Sequence, residues 1–285
     1  MTSPRFHQPL SFGAELQSGG DVRFRLWAPA AETPPVLVLE DGRETPLSPA
    51  GDGWFEARVS ADAGARYRYR LADGLMVPDP ASRAQDEDVH GWSEVIDPAG
   101  YTWRATEWNG RPWREVVLYE LHVGALAGDF EGVIAELDRL KDLGITAVEL
   151  MPVADFPGDR NWGYDGVLPY APDRAYGGVA GLKRLVDAAH ERGLMMFLDV
   201  VYNHFGPDGN YLHAYAPQFF AEEVHTPWGP AIDFTQAAVR TFFIENALYW
   251  LNEYRFDGLR FDAAHAIDSA PNNDFLAELA ARARA

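Results

Sequence analysis

The stretch F-D-G-L-R-F-D-A-A-H, residues 256–265, places an arginine and an aspartate two positions apart in an apolar run. Side chains two apart on a β-strand point to the same face, so Arg260 and Asp262 are predicted to lie side by side. Because burial of an unpaired charge is very costly, the guanidinium would keep the Asp262 carboxylate ionised in a sheltered place. Such a carboxylate suits a nucleophile or an electrostatic stabiliser. A buried salt bridge with no chemical task explains this stretch equally well.

Two further stretches place polar side chains after apolar runs. D-V-V-Y-N-H ends in His204, and an imidazole there can donate a hydrogen bond to a substrate hydroxyl. In R-N-W-G-Y-D-G, glycines let the backbone turn tightly and present the rings of Trp162 and Tyr164, with Asp165 beside them. Exposed aromatic faces suit the C–H faces of sugar rings, and carboxylates accept sugar hydroxyls. A structural histidine and a core tyrosine next to a turn are the alternatives.

Composition narrows the classes of partner. The formal net charge of −19 argues against nucleic acid and against an anionic membrane surface. No apolar run approaches the length of a membrane span, and no secretion signal is visible, so neither is expected. Cysteine is absent and no H-x-x-x-H or EF-hand-like pattern occurs, so we expect no metal and no cofactor. The composition fits a cytoplasmic protein. It does not indicate an oligomeric state.

The first third of the chain alternates apolar and polar residues in short runs such as V-R-F-R-L-W-A and Y-R-Y-R-L. Clusters of Gly, Pro and Asp separate these runs, which is typical of short antiparallel strands joined by turns. We therefore predict an antiparallel β-sandwich over residues 1–105.

After residue 105 the pattern changes to apolar strands that alternate with helices. V-V-L-Y-E-L-H-V is a continuous apolar run, typical of a strand covered on both faces. The next segment has helical spacing, with Asp129 as N-cap and Gly144 just past its end. Four such units predict parallel strands joined by right-handed crossovers. We predict that residues 106–285 form the first half of a (β/α)₈ barrel, with an open four-stranded sheet as the alternative.

In such a barrel, the chemistry lies at the C-terminal ends of the strands. Polar residues collect at the predicted strand ends, and they are His122, Asp155, Asp199 to His204, and Asp262 to His265. These positions are our candidates for the site.

Three blocks, V-V-Y-N-H, G-L-R-F-D-A-A-H and Y-E-L-H-V-G, closely resemble blocks of the α-amylase superfamily of glycoside hydrolases. Within it, E-L-M-P-V-A-D-F-P-G-D-R-N-W-G-Y-D-G-V and G-P-D-G-N-Y-L are similar to the maltooligosyltrehalose trehalohydrolases. The resemblance runs from about Val116 to the chain end. The preceding part is similar in architecture to the β-sandwich of these enzymes. The resemblance implies a TIM-type barrel and a retaining hydrolase that cuts the α-1,4 bond beside the terminal trehalose of a maltooligosaccharide chain.

The same resemblance implies residue roles. By position, Asp262 is the nucleophile, and Arg260 orients it and keeps it ionised. The implied sugar-binding residues are His204, Tyr164, His265, Trp162 and Asp165, and the implied supporting residues are Asp199 and Asn203.

One catalytic group is expected elsewhere. The superfamily's general acid is a glutamate at the end of the fifth strand, which would lie beyond residue 285. Glu278 lies in an amphipathic helical stretch and is not expected to replace it. Since a retaining mechanism needs two carboxyl groups, the 285-residue chain alone is predicted to be inactive. A 1,4-α-glucan branching enzyme and a non-catalytic carbohydrate-binding fragment are the alternatives.

Overall fold

The computed structural model describes residues 6–226, 228–268 and 274–284. The N-terminal part contains two antiparallel sheets, of strand order β1-β2-β6-β5 and β4-β3-β7-β8, with β9 also paired to β7. The strands are β1 (Gly13–Leu16), β2 (Asp21–Trp27), β3 (Val36–Leu39), β4 (Glu44–Pro46), β5 (Ser48–Gly51), β6 (Trp54–Ser60), β7 (Arg66–Arg70), β8 (Met76–Val77) and β9 (Ser93–Glu94). The predicted β-sandwich is confirmed.

The alternation in the sequence explains the packing of this sandwich. In β2, Val22, Phe24 and Leu26 are completely buried, while the residues between them reach the surface. In β7, Tyr67 and Tyr69 are buried in the same way. Because strand residues alternate between faces, each strand contributes one apolar face to a shared interior.

The C-terminal part is built on a parallel sheet of order β10-β11-β14-β17, with helices between the strands. Its strands are β10 (Leu118–Leu121), β11 (Ala147–Leu150), β12 (Ala154–Asp155), β13 (Leu168–Pro172), β14 (Met195–Val200), β15 (Phe220–Thr226), β16 (Gly229–Ile232) and β17 (Gly258–Phe261). Its helices are α1 (Val123–Leu126), α2 (Phe130–Asp142), α3 (Gly178–Glu191), α4 (Leu212–Tyr215), α5 (Ala237–Asn252), α6 (Ala264–Asp268) and α7 (Phe275–Ala283). The four predicted parallel strand–helix units are confirmed.

Local chemistry determines the ends of α2. The Asp129 carboxylate accepts a 2.8 Å hydrogen bond from the Gly132 N–H, so it caps the helix as predicted. Past the other end, Gly144 has φ +95°, a left-handed conformation that glycine adopts without strain. The apolar residues that recur at helical spacing in α2 include Phe130, Val133, Leu137 and Leu140, which are fully buried.

Two expectations about the strands are wrong. The apolar run that ends in β10 was expected to be covered on both faces, but Val117 is 52% exposed and Leu118 is 43% exposed. β10 is an edge strand, and within the described residues no layer covers the face that carries Leu118. Between β14 and α5, where the sequence analysis predicts no strand, the chain forms the hairpin β15–β16.

A continuous hydrophobic core joins the sandwich to the parallel sheet and its helices. The rings of Phe12 and Phe242 pack at 5.1 Å between centroids, and the Ser11 N–H donates to Glu245 Oε2 at 2.7 Å. A domain boundary near residue 105 stays a prediction, since the core does not stop there. Within the described ranges, no helix is both long enough and apolar enough to span a membrane.

Candidate active site

The site candidates lie where β14 and β17 end side by side. The register of these strands places Asp199 directly opposite Arg260. Asp262 follows the end of β17, and its N–H donates to the Val200 carbonyl at 3.1 Å, which continues the ladder by one bond. Ala263 then has φ +44°, a left-handed conformation that costs a non-glycine residue free energy.

Arg260 contacts two carboxylates rather than one. Its Nη1 donates to Asp262 Oδ1 at 3.2 Å and also to Asp199 Oδ2. The predicted placement of Arg260 beside Asp262 is therefore observed, but the guanidinium is shared across two strands. The Asp199 side chain is completely buried, whereas that of Asp262 is 21% exposed.

Tyr164 completes this group from the loop after β11. Its hydroxyl donates to Asp199 Oδ2 at 3.1 Å. Burial raises the pKa of Asp199 to about 6, while Arg260 and the Tyr164 hydroxyl act to lower it. The expected contact of Tyr164 with a sugar stays a prediction; the structure shows that its hydroxyl helps to hold Asp199. Asp199 is thus the inner partner that positions Arg260.

His204 is buried beneath the same rim. Its Nε2 lies 2.8 Å from the Tyr164 carbonyl oxygen, which can only accept, so Nε2 carries the proton. Burial lowers the pKa of this imidazole, which favours its neutral form. Its Nδ1 is buried without a partner. The expected donation from His204 to a substrate hydroxyl stays a prediction, since in this structure the Nε2 proton is donated to the Tyr164 carbonyl.

Trp228 is a site residue that the sequence reasoning missed. Its ring stacks on the His204 ring, with centroids 4.5 Å apart and planes 12° from parallel, and it is 48% exposed. One sequence feature could have pointed to Trp228, namely its position in the turn-forming run T-P-W-G-P. The strands on either side of this run were not predicted.

The loop of residues 160–166 is shaped by its own polar groups. Asn161 donates to Asp165 Oδ2 at 2.8 Å and accepts from the Gly163 N–H at 2.7 Å. Asp165 was expected to bind sugar, but one of its carboxylate oxygens accepts a hydrogen bond within the loop. Gly163 has φ +97°, and a Cβ there would lie 2.2 Å from the Pro152 carbonyl oxygen, so only glycine fits.

Trp162 is exposed and borders a cavity of about 540 Å³ that also contains His122 and Tyr176. The His122 and Trp162 rings meet edge to face at 5.2 Å. His122 follows β10, so this cavity lies at the same end of the parallel sheet as Asp199. An exposed indole beside polar groups can take the face of a sugar ring.

The remaining candidates behave differently from one another. Asn203 is buried, and both atoms of its amide lack partners. His265 is exposed on α6, and within the described part of the chain it makes no hydrogen bond to the other candidates.

Glu278 accepts a 2.9 Å hydrogen bond from Arg240 Nε, between α7 and α5, and so is engaged on the helical layer. Asp199 is buried and held by Arg260, so it is poorly placed to protonate a leaving group.

Comparison with known proteins places this site in a family. The model of the α-amylase catalytic domain matches residues 81–227, which is slightly more than half of the chain. The chain belongs to the α-amylase family. The model of carbohydrate-binding module 48, the isoamylase N-terminal domain, matches residues 11–100 within the sandwich.

Relatives in this family have related names. The malto-oligosyltrehalose trehalohydrolase of Saccharolobus solfataricus is 45% identical over 93% of this chain and 48% of that protein. A 1,4-alpha-glucan branching enzyme of Pseudoalteromonas atlantica is 32% identical over 85% of this chain and 37% of that protein. A crystal structure of a Salmonella typhimurium protein that carries the name alpha amylase is 49% identical, with a TM-score of 0.94 over 97% of this chain and 47% of that one. The chain spans about half the length of the trehalohydrolases that it matches.

Proposed function

We propose that the full-length gene product containing this sequence is a retaining glycoside hydrolase that releases trehalose from maltooligosyltrehalose. The contact of Arg260 with both Asp199 and Asp262, at the C-terminal ends of two parallel strands, carries the proposal. It positions a partly exposed carboxylate beside a fixed positive charge. Identity of 45% to a trehalohydrolase supports this substrate over other α-glucans.

In the proposed reaction, Asp262 attacks the anomeric carbon of the glucose next to the terminal trehalose. The bond from that carbon to the trehalose oxygen breaks, and trehalose leaves with a proton from the general acid. A maltooligosyl ester of Asp262 remains. Water then attacks the same carbon, returns a proton to the acid group and frees Asp262. We expect the acid to be the glutamate after the fifth strand of the family, outside these 285 residues.

The surrounding residues support this chemistry in distinct ways. Arg260 holds the nucleophile in one orientation, and the buried Asp199–Tyr164 pair holds Arg260. His204 would hold the backbone of Tyr164 in place through its Nε2 proton. Trp162 would provide a stacking surface for a further sugar ring.

The test is incubation of the purified full-length gene product with maltooligosyltrehalose and, separately, with amylose. We expect free trehalose from the first and no new α-1,6 branches in the second. Branch formation without trehalose release would favour the branching enzyme, and saccharide binding without any turnover would favour the carbohydrate-binding alternative. Either result would contradict the proposal. A cytoplasmic location stays a prediction.

A further inference from the structure

The His122 ring lies at the end of β10 and is held by hydrogen bonds on both of its nitrogens. Its Nδ1 accepts from the Ala125 N–H at 2.9 Å, and its Nε2 lies 2.7 Å from the Asn161 carbonyl oxygen. Because a carbonyl oxygen can only accept, Nε2 carries the proton, and the imidazole is neutral with one fixed tautomer. Both nitrogens are therefore engaged within the protein rather than offered to a sugar.

The Asn161 carbonyl is the point at which the loop of residues 160–166 meets the His122 ring. The Tyr176 hydroxyl donates to the same oxygen at 3.3 Å. The Asn161 side chain accepts from the Gly163 N–H and donates to Asp165, so this residue also organises the rest of the loop. Two side chains from outside the loop thus hold it through one backbone atom.

His122 also supports the next residue of the loop. Its ring meets the Trp162 ring edge to face, with centroids 5.2 Å apart. Trp162 is 67% exposed, and an exposed side chain of this size loses rotamer freedom when a ligand immobilises it. A ring that is already supported before binding loses less of this freedom, which favours affinity.

Tight packing keeps the His122 ring in this position. Gly124 follows it in the block Y-E-L-H-V-G, and a Cβ there would lie 3.1 Å from Tyr176 Cε1 and 3.3 Å from His122 Cε1. Tyr176 is buried and packs edge to face on Phe130 and Phe156. The histidine and the glycine of this block therefore both contribute to the position of the loop.

We propose that His122 is a positioning residue that sets the affinity of the site for a maltooligosaccharide, because it fixes Trp162 as a stacking surface. This role rests on the proposed function, in which the ligand is an α-glucan chain. His122 acts through Asn161 and Trp162 and not on the reacting carbon. Its removal should therefore weaken saccharide binding and leave the chemical step at Asp262 nearly unchanged.

Two substitutions separate this role from the role of His122 as the N-cap of α1. Asparagine keeps an acceptor near the position of Nδ1 but has no donor at the position of Nε2. Glutamine places its amide nitrogen near the position of Nε2 but has no acceptor near Nδ1. His122→Asn should therefore release the Asn161 carbonyl and keep the cap, whereas His122→Gln should do the reverse.

The test measures binding of maltooligosyltrehalose by calorimetry to the full-length gene product that carries Asp262→Asn. We expect His122→Asn to raise the dissociation constant about fivefold and His122→Gln to stay within about twofold of the parent. With Asp262 intact, KM for trehalose release should rise about fivefold in His122→Asn, while kcat stays within about twofold. His90→Asn, which loses an exposed contact to Tyr211, is the matched control and should leave both values unchanged.

Unchanged affinity in His122→Asn would overturn the proposal. An equal loss in both His122 variants, or a fall in kcat at constant KM, would show a general structural role and contradict it as well. If His122→Asn does not fold, Tyr176→Phe removes the second donor to the Asn161 carbonyl and keeps the ring. Affinity should then fall about twofold, and unchanged affinity would overturn the proposal.

The same measurements distinguish a failure of this role from a failure of the proposed function. Saccharide binding by the parent without trehalose release would contradict the proposed function, while the binding constants of the His122 variants would still decide the role of this residue. Absence of saccharide binding by the parent would overturn both.

Discussion

At the residue scale, Arg260 contacts two carboxylates that have different roles. Asp199 positions Arg260, and Asp262 is the proposed nucleophile. Asp199 is buried and takes a second hydrogen bond from Tyr164, while Asp262 is partly exposed. The spacing of Arg260 and Asp262 could be predicted from the sequence because strand geometry decides it. The contribution of Asp199 could not, because it depends on the register between β14 and β17.

We expect Asp262→Asn to abolish turnover while saccharide binding survives. The amide keeps the shape of the side chain but cannot attack the anomeric carbon, so kcat should fall by at least about 10⁴-fold. Trehalose release and calorimetric binding of maltooligosyltrehalose, both on the full-length gene product, measure the two effects. Asp62→Asn, on an exposed turn of the sandwich, should match the parent. Retained turnover would show that the nucleophile is another residue.

We expect Tyr164→Phe to shift the acidic side of the pH profile of kcat/KM to higher pH. Protonation of Asp199 near pH 6 weakens its ionic contact with Arg260, and loss of the Tyr164 hydroxyl further disfavours the charged carboxylate. The pH profile of kcat/KM measures this shift. Tyr211→Phe, which instead loses a hydroxyl contact to His90, should leave the limb in place. An unchanged profile in Tyr164→Phe would contradict the role given to Asp199.

The contribution of Asp199 to the free energy of unfolding changes with pH in the opposite direction to its contribution to activity. Its folded-state pKa of about 6 lies above its ordinary value of 3.8. This contribution is therefore fully present below pH 3.8 and is lost as the pH rises through about 6. Acid thus favours the fold at this position while it weakens the Asp199–Arg260 contact.

At the scale of the elements, hydrophobic periodicity and helix capping predict most strands and helices from the amino-acid sequence alone. Asp129 and Gly144 mark the ends of α2 through chemistry that is local in sequence. The hairpins β12–β13 and β15–β16 were not predicted, because β12 has only two residues, β13 and β16 contain proline, and the β15 sequence F-A-E-E-V-H-T does not alternate apolar and polar residues. The exposed face of β10 was also missed, because a residue pattern does not reveal which neighbours cover a strand.

We expect Gly163→Ala to weaken substrate binding, and to do so more than an alanine at another glycine with a left-handed backbone conformation. A Cβ at this position would collide with the Pro152 carbonyl and displace the loop of Trp162 and Tyr164. Gly144→Ala is a matched control, since its φ is +95° but nothing lies within 4 Å of its Cβ position. Gly144→Ala should lose about 1 kcal/mol of stability through its backbone conformation alone, whereas Gly163→Ala should lose more because of the collision and should also raise KM. An equal KM in both would show that the loop tolerates the displacement.

At the scale of the whole molecule, Glu253 connects three regions that are distant in sequence. Its side chain is fully buried and pairs with Lys183 of α3 at 3.5 Å. It also accepts weakly from the Gln8 N–H at 3.4 Å, and its charge stabilises the buried Arg83. The sandwich, the segment that follows it and the helical layer therefore meet at one carboxylate.

We expect Glu253→Gln to destabilise the protein by about 3 kcal/mol, because the buried cations Lys183 and Arg83 lose their compensating charge. Urea unfolding of the full-length gene product, followed by fluorescence and circular dichroism, measures the change. Glu191→Gln removes the exposed partner of Arg104 and should cost less than about 1 kcal/mol. Equal losses in the two variants would show that Glu253 does not join these regions.

The continuous core has a practical consequence for protein engineering. Phe12 is 1% exposed, its ring packs on Trp54 of the sandwich and on Phe242 of α5, and the Ser11 N–H finds its acceptor on the same helix. A sandwich excised as a portable affinity tag would present this bare aromatic surface to water. Fusion designs that borrow it should therefore carry α5 along, or replace Phe12 with a polar side chain.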